Sequence, residues 1–286
     1  MRIRRIHFAL ALSCSLLTIP SGAGASDLDK KGGEGTHRII YTPARGTVFD
    51  DIQDKACGLT NHGLVMTSPA RVVFLFWGPS FCSGGADNGY ATTLQAYRNQ
   101  LGGTPEWAVL SQYGIPATNL GLGTPDLFDC STPPTNVTDS IVRSKVNAYL
   151  STHTFDPNSI YEVVIPSSSY SSSGSSTSCG GPSLAYCAYH SWIGSGVNAT
   201  KYTIQPWPGC SGCTVSAWSN VQNQEHFVFH VTGNTVTDPT GQGYHDASGV
   251  EVEDKCAWSP TPFIGTGGYA YQYQWSNATC SCVRTR

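Results

Sequence analysis

The chain has 286 residues, of which 16 are Lys or Arg and 19 are Asp or Glu, a formal net charge of −3 with neutral histidines. Only 12% of the residues are charged, so there is no basic footprint for nucleic acid. No run of 18 apolar residues occurs either, which argues against a membrane-spanning helix.

Residues 1–25 read as a secretory signal peptide. Arg2, Arg4 and Arg5 make a basic start, an apolar run follows to about Ile19, and Ala23-Gly24-Ala25 is a small-x-small cleavage site. The leader takes three of the sixteen basic residues, so residues 26–286 carry thirteen against nineteen acidic ones. Residues 26–56 are polar and glycine-rich, a loosely ordered lead-in without periodicity. Residues 71–78, RVVFLFWG, form an apolar β-branched and aromatic run that predicts a buried strand. Residues 88–101 and 104–112 predict helices. Thr138-Asp139 caps a further helix to about Leu150, with Ile141, Val142, Val146, Tyr149 and Leu150 on its apolar side. Residues 161–165 predict a second buried strand.

The serine-rich stretch at 167–178 predicts a flexible surface loop. Two short strands follow at 185–190 and 202–205, then a helix at 218–235. The chain next becomes turn-rich (Asp238-Pro239, Gly241, Gly243, Ser248-Gly249). It ends in an aromatic strand at 269–275 that buries one face. Strands alternate with helices and no linker or repeat divides the chain. The reading is one α/β domain over 57–286 with a cysteine-tied C-terminal tail.

Cys14 lies in the leader. Ten cysteines remain: Cys57, Cys82, Cys130, Cys179, Cys187, Cys210, Cys213, Cys256, Cys280 and Cys282. An even count in an exported chain predicts disulfides and leaves their connectivity open. Cys210-Ser-Gly-Cys213 is read as a structural clip rather than half a zinc site, because no second CxxC pair has zinc-knuckle spacing.

The candidate chemistry sits in HFVFHVTGNTVTDP, residues 226–239. Residues four apart share a helical face, so His226 could pair with His230, or His230 with Asn234. A zinc hydrolase of the HExxH type needs a glutamate beside its histidine to take a proton from metal-bound water. Phe227 and Val231 occupy those places and have no ionisable group. Carboxylates crowd the residues that follow: Asp238, Asp246, Glu251, Glu253 and Asp254.

Several segments resemble the EXORDIUM / phosphate-induced protein family and its bacterial relatives. They are His230–Pro239, Gly243-Tyr-His-Asp246 and Gly249-Val-Glu-Val-Glu-Asp-Lys-Cys-Ala-Trp258. The resemblance extends to Asn61-His62-Gly63, Phe76-Trp77-Gly78, Cys187-Ala-Tyr-His190, Cys210-Ser-Gly-Cys213 and Trp275-Ser-Asn277, in the family's order and over roughly residues 57–286. It implies a zincin-like α/β (α+β) domain with a mixed sheet and a metal-motif helix. Where the family carries HE-x-x-E, this chain has His230-Val231-Thr232-Gly233-Asn234. Both glutamates are gone, Asn234 is a poor zinc ligand, and Gly233 weakens a helix by about 1 kcal/mol relative to Ala.

The resulting expectation is a secreted protein with a disabled hydrolase scaffold, located extracellularly, in a cell wall or in a periplasm. Its candidate ligand set is His230, Asn234, Asp238, Asp246, Glu251, Asp254 and His190, for a divalent ion such as zinc or calcium. One alternative is an active metal-dependent hydrolase using His230 with His226 or nearby carboxylates, although His226 itself reads as a surface residue at the helix start. Another is an extracellular matrix or carbohydrate-binding protein using Tyr269, Tyr271, Tyr273 and Trp275. The partner class is a cell-wall or extracellular polysaccharide or a protein. Asn136, Asn198 and Asn277 stand in glycosylation sequons.

Overall fold

The computed structural model describes residues 38–46, 57–123 and 125–286. The leader and most of the lead-in lie outside the described residues. Six strands form the main sheet: β1 (Ile40–Pro43), β2 (Arg71–Trp77), β3 (Leu127–Asp129), β4 (Ser159–Val164), β5 (Tyr186–Ile193) and β6 (Thr200–Gln205), in the order β1-β5-β6-β4-β2-β3. β5 runs antiparallel to β1 and β6, while β6, β4, β2 and β3 are mutually parallel. The sheet is therefore mixed, with one reversed strand. β1 belongs to the expected lead-in, so that segment is ordered at 40–43, where it pairs with β5.

Helices cover both faces. Val72, Phe74 and Phe76 of β2, with Ile160 and Val164 of β4, pack on Leu94 and Tyr97 of α1 (Asn88–Leu101) and on Val228 and Phe229 of α3 (Asn220–Thr237). Val73, Leu75, Tyr161 and Val163 face the other way, against Val142, Val146 and Tyr149 of α2 (Asp139–Leu150). A strand covered on both faces can be apolar at every position, which is why 72–76 reads as a continuous run.

α3 is the central element. Ser219 and Gln222 close its N-terminus as a capping box: Gln222 N donates to Ser219 Oγ, and Ser219 N donates to Gln222 Oε1 at 3.0 Å. From Asn223 to Thr237 every residue is buried. A helix enclosed all round must satisfy its polar side chains inside the protein.

The register decides what meets it. Ile40, His190, Thr203, Glu162 and Phe74 stand side by side across β1, β5, β6, β4 and β2. Laterally paired residues point to one face. Phe74 faces α1 and α3, so His190, Thr203 and Glu162 lie beneath the helices as well.

Three sequence expectations need correction. Residues 104–112 do not form an α-helix; a 3₁₀ segment, Trp107–Tyr113, ends at Gly114 in the left-handed region (φ +86°). The aromatic stretch is two short strands, Ala270–Tyr271 and Gln274–Ser276, and both of its faces are buried: Gln272 and Gln274 as well as Tyr271 and Trp275. The serine-rich stretch is no loose loop. Tyr170–Ser173 and Ser176–Thr177 form a three-stranded sheet with Asn136–Thr138. Ser171 and Ser178 are buried, with Ser171 Oγ 3.0 Å from Tyr186 Oη and Ser178 Oγ accepting from Ser171 N. Serine hydroxyls satisfy one another and the backbone there, a possibility that composition alone does not show.

The cysteines form disulfides as expected, and the structure supplies their connectivity. All ten pair: Cys57–Cys280, Cys82–Cys130, Cys179–Cys210, Cys187–Cys213 and Cys256–Cys282. The CxxC motif is not closed on itself; its two cysteines go to different partners. Five disulfides are the mark of an oxidising compartment. Among the described residues no helix is long and apolar enough to cross a membrane.

The ordering of the serine stretch is testable. Limited proteolysis should leave residues 170–178 uncut under conditions that nick exposed loops such as 194–198. Early cleavage within 170–178 would contradict the buried sheet.

Candidate functional site

α3 carries His230 at its middle, facing the C-terminal segment. His230 is 1% exposed. Its Nδ1 is 2.9 Å from Gln272 Oε1. The Gln272 amide is oriented by its other end, because Nε2 donates to the Glu253 carbonyl and to Glu253 Oε2, both at 2.9 Å. His230 Nδ1 must then be the donor to Gln272. On the other side, Nε2 lies 2.8 Å from Asp254 Oδ1. A contact that short needs one proton between the two atoms.

Asn234, one turn on, is held just as firmly. Its Oδ1 accepts from Glu253 N at 2.8 Å, which turns its Nδ2 toward His230 Nε2 at 3.3 Å. Asn234 thus pins the segment carrying Glu253 and Asp254 onto the helix. Gly233 has a packing reason too. A Cβ there would meet Glu253 Oε1 at 2.3 Å and Glu253 Cγ at 2.9 Å. The Glu253 carboxyl lies against bare helix backbone, also accepting from Gln274 Nε2 at 2.5 Å, and burial holds it protonated well above the usual carboxylate range.

His190, on β5, forms a second pair. Its Nε2 is 2.8 Å from Glu251 Oε2, with both side chains 1% exposed. Burial pushes the His190 imidazole down to about 3, so it is neutral at ordinary pH. Neutral His190 has its proton on Nε2 when it donates to Glu251. Its Nδ1 makes no hydrogen bond.

No family model, curated protein or solved structure matches the chain. The reading of the site therefore rests on its geometry.

Of the seven candidate residues, the structure gathers five: His190, His230, Asn234, Glu251 and Asp254. It separates two. Asp238 caps the end of α3, and its Oδ1 accepts from Gly243 N at 2.7 Å. Asp246 folds its own turn, accepting from Ser248 N and Val250 N, and pairs with Lys255 Nζ at 2.8 Å. His226 is not a surface residue. It is buried between Trp218, Phe227 and Trp258 (ring centroids 6.0, 4.0 and 5.1 Å away), and burial pushes it down to about 3. An aromatic niche holds it at the start of an enclosed helix.

The gathered residues do not fit a zinc site. They form two histidine–carboxylate pairs, His190–Glu251 and His230–Asp254, instead of donors converging on one point. Among the described residues, the set of three donors lying within 4.8 Å of one another is Cys179, Cys210 and Cys213, whose sulfurs are in disulfides. Val231 points elsewhere, into a cluster with Ala188, Phe227 and the Cys187–Cys213 bond.

Sequence reasoning missed a second polar chain under α3. Tyr90 Oη donates to Gln224 Oε1, Gln224 Nε2 to Gln205 Oε1, and Gln205 Nε2 to Glu162 Oε2. Thr232 Oγ1 donates to Glu162 Oε1 at 2.8 Å. Burial raises the Glu162 carboxyl to about 7 against the pull of these donors. The available signal was a glutamate in the middle of an apolar strand, since a charged residue is almost never fully buried without partners.

Of the aromatic candidates, Tyr269 and Tyr273 are half-buried. Tyr271 and Trp275 are fully buried, and Tyr273 is covered by the Arg284 guanidinium, 5.2 Å over its ring. Asn277 is engaged as well: Nδ2 donates to the Leu59 carbonyl, and Oδ1 accepts from Leu59 N and Trp275 Nε1.

Two outcomes follow. Gly233→Ala should destabilise the protein by about 1–3 kcal/mol through overpacking, although Ala is the better helix former by about 1 kcal/mol. In urea unfolding the loss should shrink when Glu253→Ala is added. A stabilised G233A would refute the contact.

The second outcome concerns pH. Glu162 and Glu225 are raised by burial to about 7 from 4.5, so the folded state binds more protons than the unfolded one between those values. Their contribution is full below pH 4.5 and is lost as pH rises through 7. Buried Glu253 and Asp238 are raised in the same sense. His190 and His226 act oppositely, costing stability as pH falls from 6.5 toward 3. The urea midpoint should therefore be higher at pH 5 than at pH 8 and fall again below 4.5. Glu162→Gln should reduce the difference between pH 5 and 8. A midpoint that rises from pH 5 to 8 would contradict this.

Proposed function

We propose that the chain is an exported, EXORDIUM-like protein that keeps a zincin-like frame and uses its former metal-motif helix as a structural strut, without hydrolytic activity. The observation that carries this reading is the closure of His230. Both of its nitrogens are engaged, by Gln272 and Asp254, inside a core where His230 and Asn234 are each 1% exposed. A hydrolase needs an open coordination position and a base beside it. Here the position after the histidine is Val231, packed against a disulfide. Asn234 spends its amide on holding the Glu253 segment.

The mixed sheet with one reversed strand, and a helix passing over it with His230 inward, support the zincin-like reading. The leader-like residues 1–25 and the five disulfides support export. The protein's role then lies on its outer surface, toward an extracellular polysaccharide or protein, and the polar centre sets the rigidity of the frame.

Metal content and hydrolysis test this directly. Protein purified after oxidative folding should contain far less than one zinc per chain by plasma mass spectrometry, even after zinc is added and the protein desalted. It should also leave a panel of fluorogenic peptides uncut. Asp254→Ala should destabilise strongly, by about 3–5 kcal/mol, by stranding the buried His230 partner. Stoichiometric zinc together with peptide hydrolysis lost in His230→Ala would overturn the proposal.

A further inference from the structure

A cavity of about 290 Å³ opens at the start of β4 and β6, away from the polar centre. Leu64, Val65 and Met66 line one side; Pro157, Val197 and Pro239 line the others. Lys201 of β6 also lines it, yet it is only 2% exposed. Its register partners, Ile160 on β4 and Trp192 on β5, fix its side chain at this end of the sheet.

The Lys201 ammonium is held at the wall by two backbone carbonyls. Nζ donates to the Pro157 oxygen and to the Val197 oxygen, each at 2.8 Å. An ammonium has three donors. Among the described residues no carboxylate bonds Nζ, and two of its three donors are engaged, both by backbone carbonyls. Burying a lysine is costly without a partner for its charge. Asp156 supplies part of that from a distance, while burial pulls the amine down to about 8. Around the lip, the side chains of Thr67, Ser68, Asn158 and Asn198 make no hydrogen bond within the described chain. One buried cation, apolar walls and uncommitted polar groups make up the usual contents of a small-ligand site.

We propose that this cavity binds a small carboxylate with a short apolar body, one carboxylate oxygen accepting from Lys201 Nζ and the chain lying against Leu64, Val65 and Met66. The volume suits a ligand of this size and is close to the lower bound of ordinary ligand pockets. The anion completes the ammonium's donors and its charge balance together, which a neutral ligand does not. The inference does not depend on the fate of His230.

Hexanoate is the probe, titrated into the full oxidised protein and followed by ligand-observed NMR. Binding should be saturable, weaken as salt is added, and fall about tenfold or more when hexanamide replaces hexanoate. Lys201→Met should cause the same loss, while Glu162→Gln, at the polar centre, should leave it unchanged. A second measurement needs no variant. Saturating hexanoate should slow acetylation of Lys201 by an activated acetate ester, read by peptide mass spectrometry, and leave other lysines unaffected. Equal binding of hexanoate and hexanamide, or unchanged acetylation of Lys201, would overturn the assignment.

Discussion

The structure depends on how a fully enclosed helix disposes of its polar side chains. From Asn223 onward α3 has no solvent face, yet it carries Gln224, His230, Thr232 and Asn234. Each must find a partner inside, because an unpaired buried polar group costs on the order of 1–3 kcal/mol. The partners come from two directions. The sheet offers Glu162 and Gln205 from below, and the C-terminal segment offers Glu253, Asp254 and Gln272 from the side. Secondary structure, register and tail placement are fixed together by this requirement.

The same constraint explains why the tail is cysteine-tied. The segment from Glu251 to Gln274 has little regular structure of its own, so its backbone is ordered by side chains that reach from α3. Cys256–Cys282 holds that segment in place covalently, and Cys57–Cys280 ties down the chain that follows it. Removing a crosslink from such a segment would free the carboxylates that balance His190 and His230.

Much of the frame was legible because its signals are local. The apolar run at 72–76 meets covering on both sides, and the Ser219–Gln222 capping box starts α3 close to the expected place. The candidate site was legible only in part. His230 and Asp254 are neighbours in space, and their proximity in sequence reflects that. Asp238 and Asp246 shared the same stretch but serve turns, because short loops need side-chain acceptors for their own backbone. Gln205 and Glu162 escaped notice because register decides their meeting, and register is not written in either strand alone. His226 illustrates the converse. Its aromatic niche is assembled by Trp258, more than thirty residues away, so its surroundings were invisible locally. The buried serines of 170–178 escaped for the same reason, their partner strand being Asn136–Thr138.

The bond between Cys57 and Cys280 has a mechanical meaning. Its Cα atoms are 4.9 Å apart, yet the two cysteines are separated by 223 positions in sequence. A tension applied across those two points runs through a single covalent bridge and bypasses the chain between them, α1, α2 and α3 included. β1 lies outside the bridge and pairs with β5 inside it, so load arriving through β1 reaches the sheet at that pairing. Under a pull applied at Cys57 and Cys280 themselves, the polar centre would sit in a slack loop.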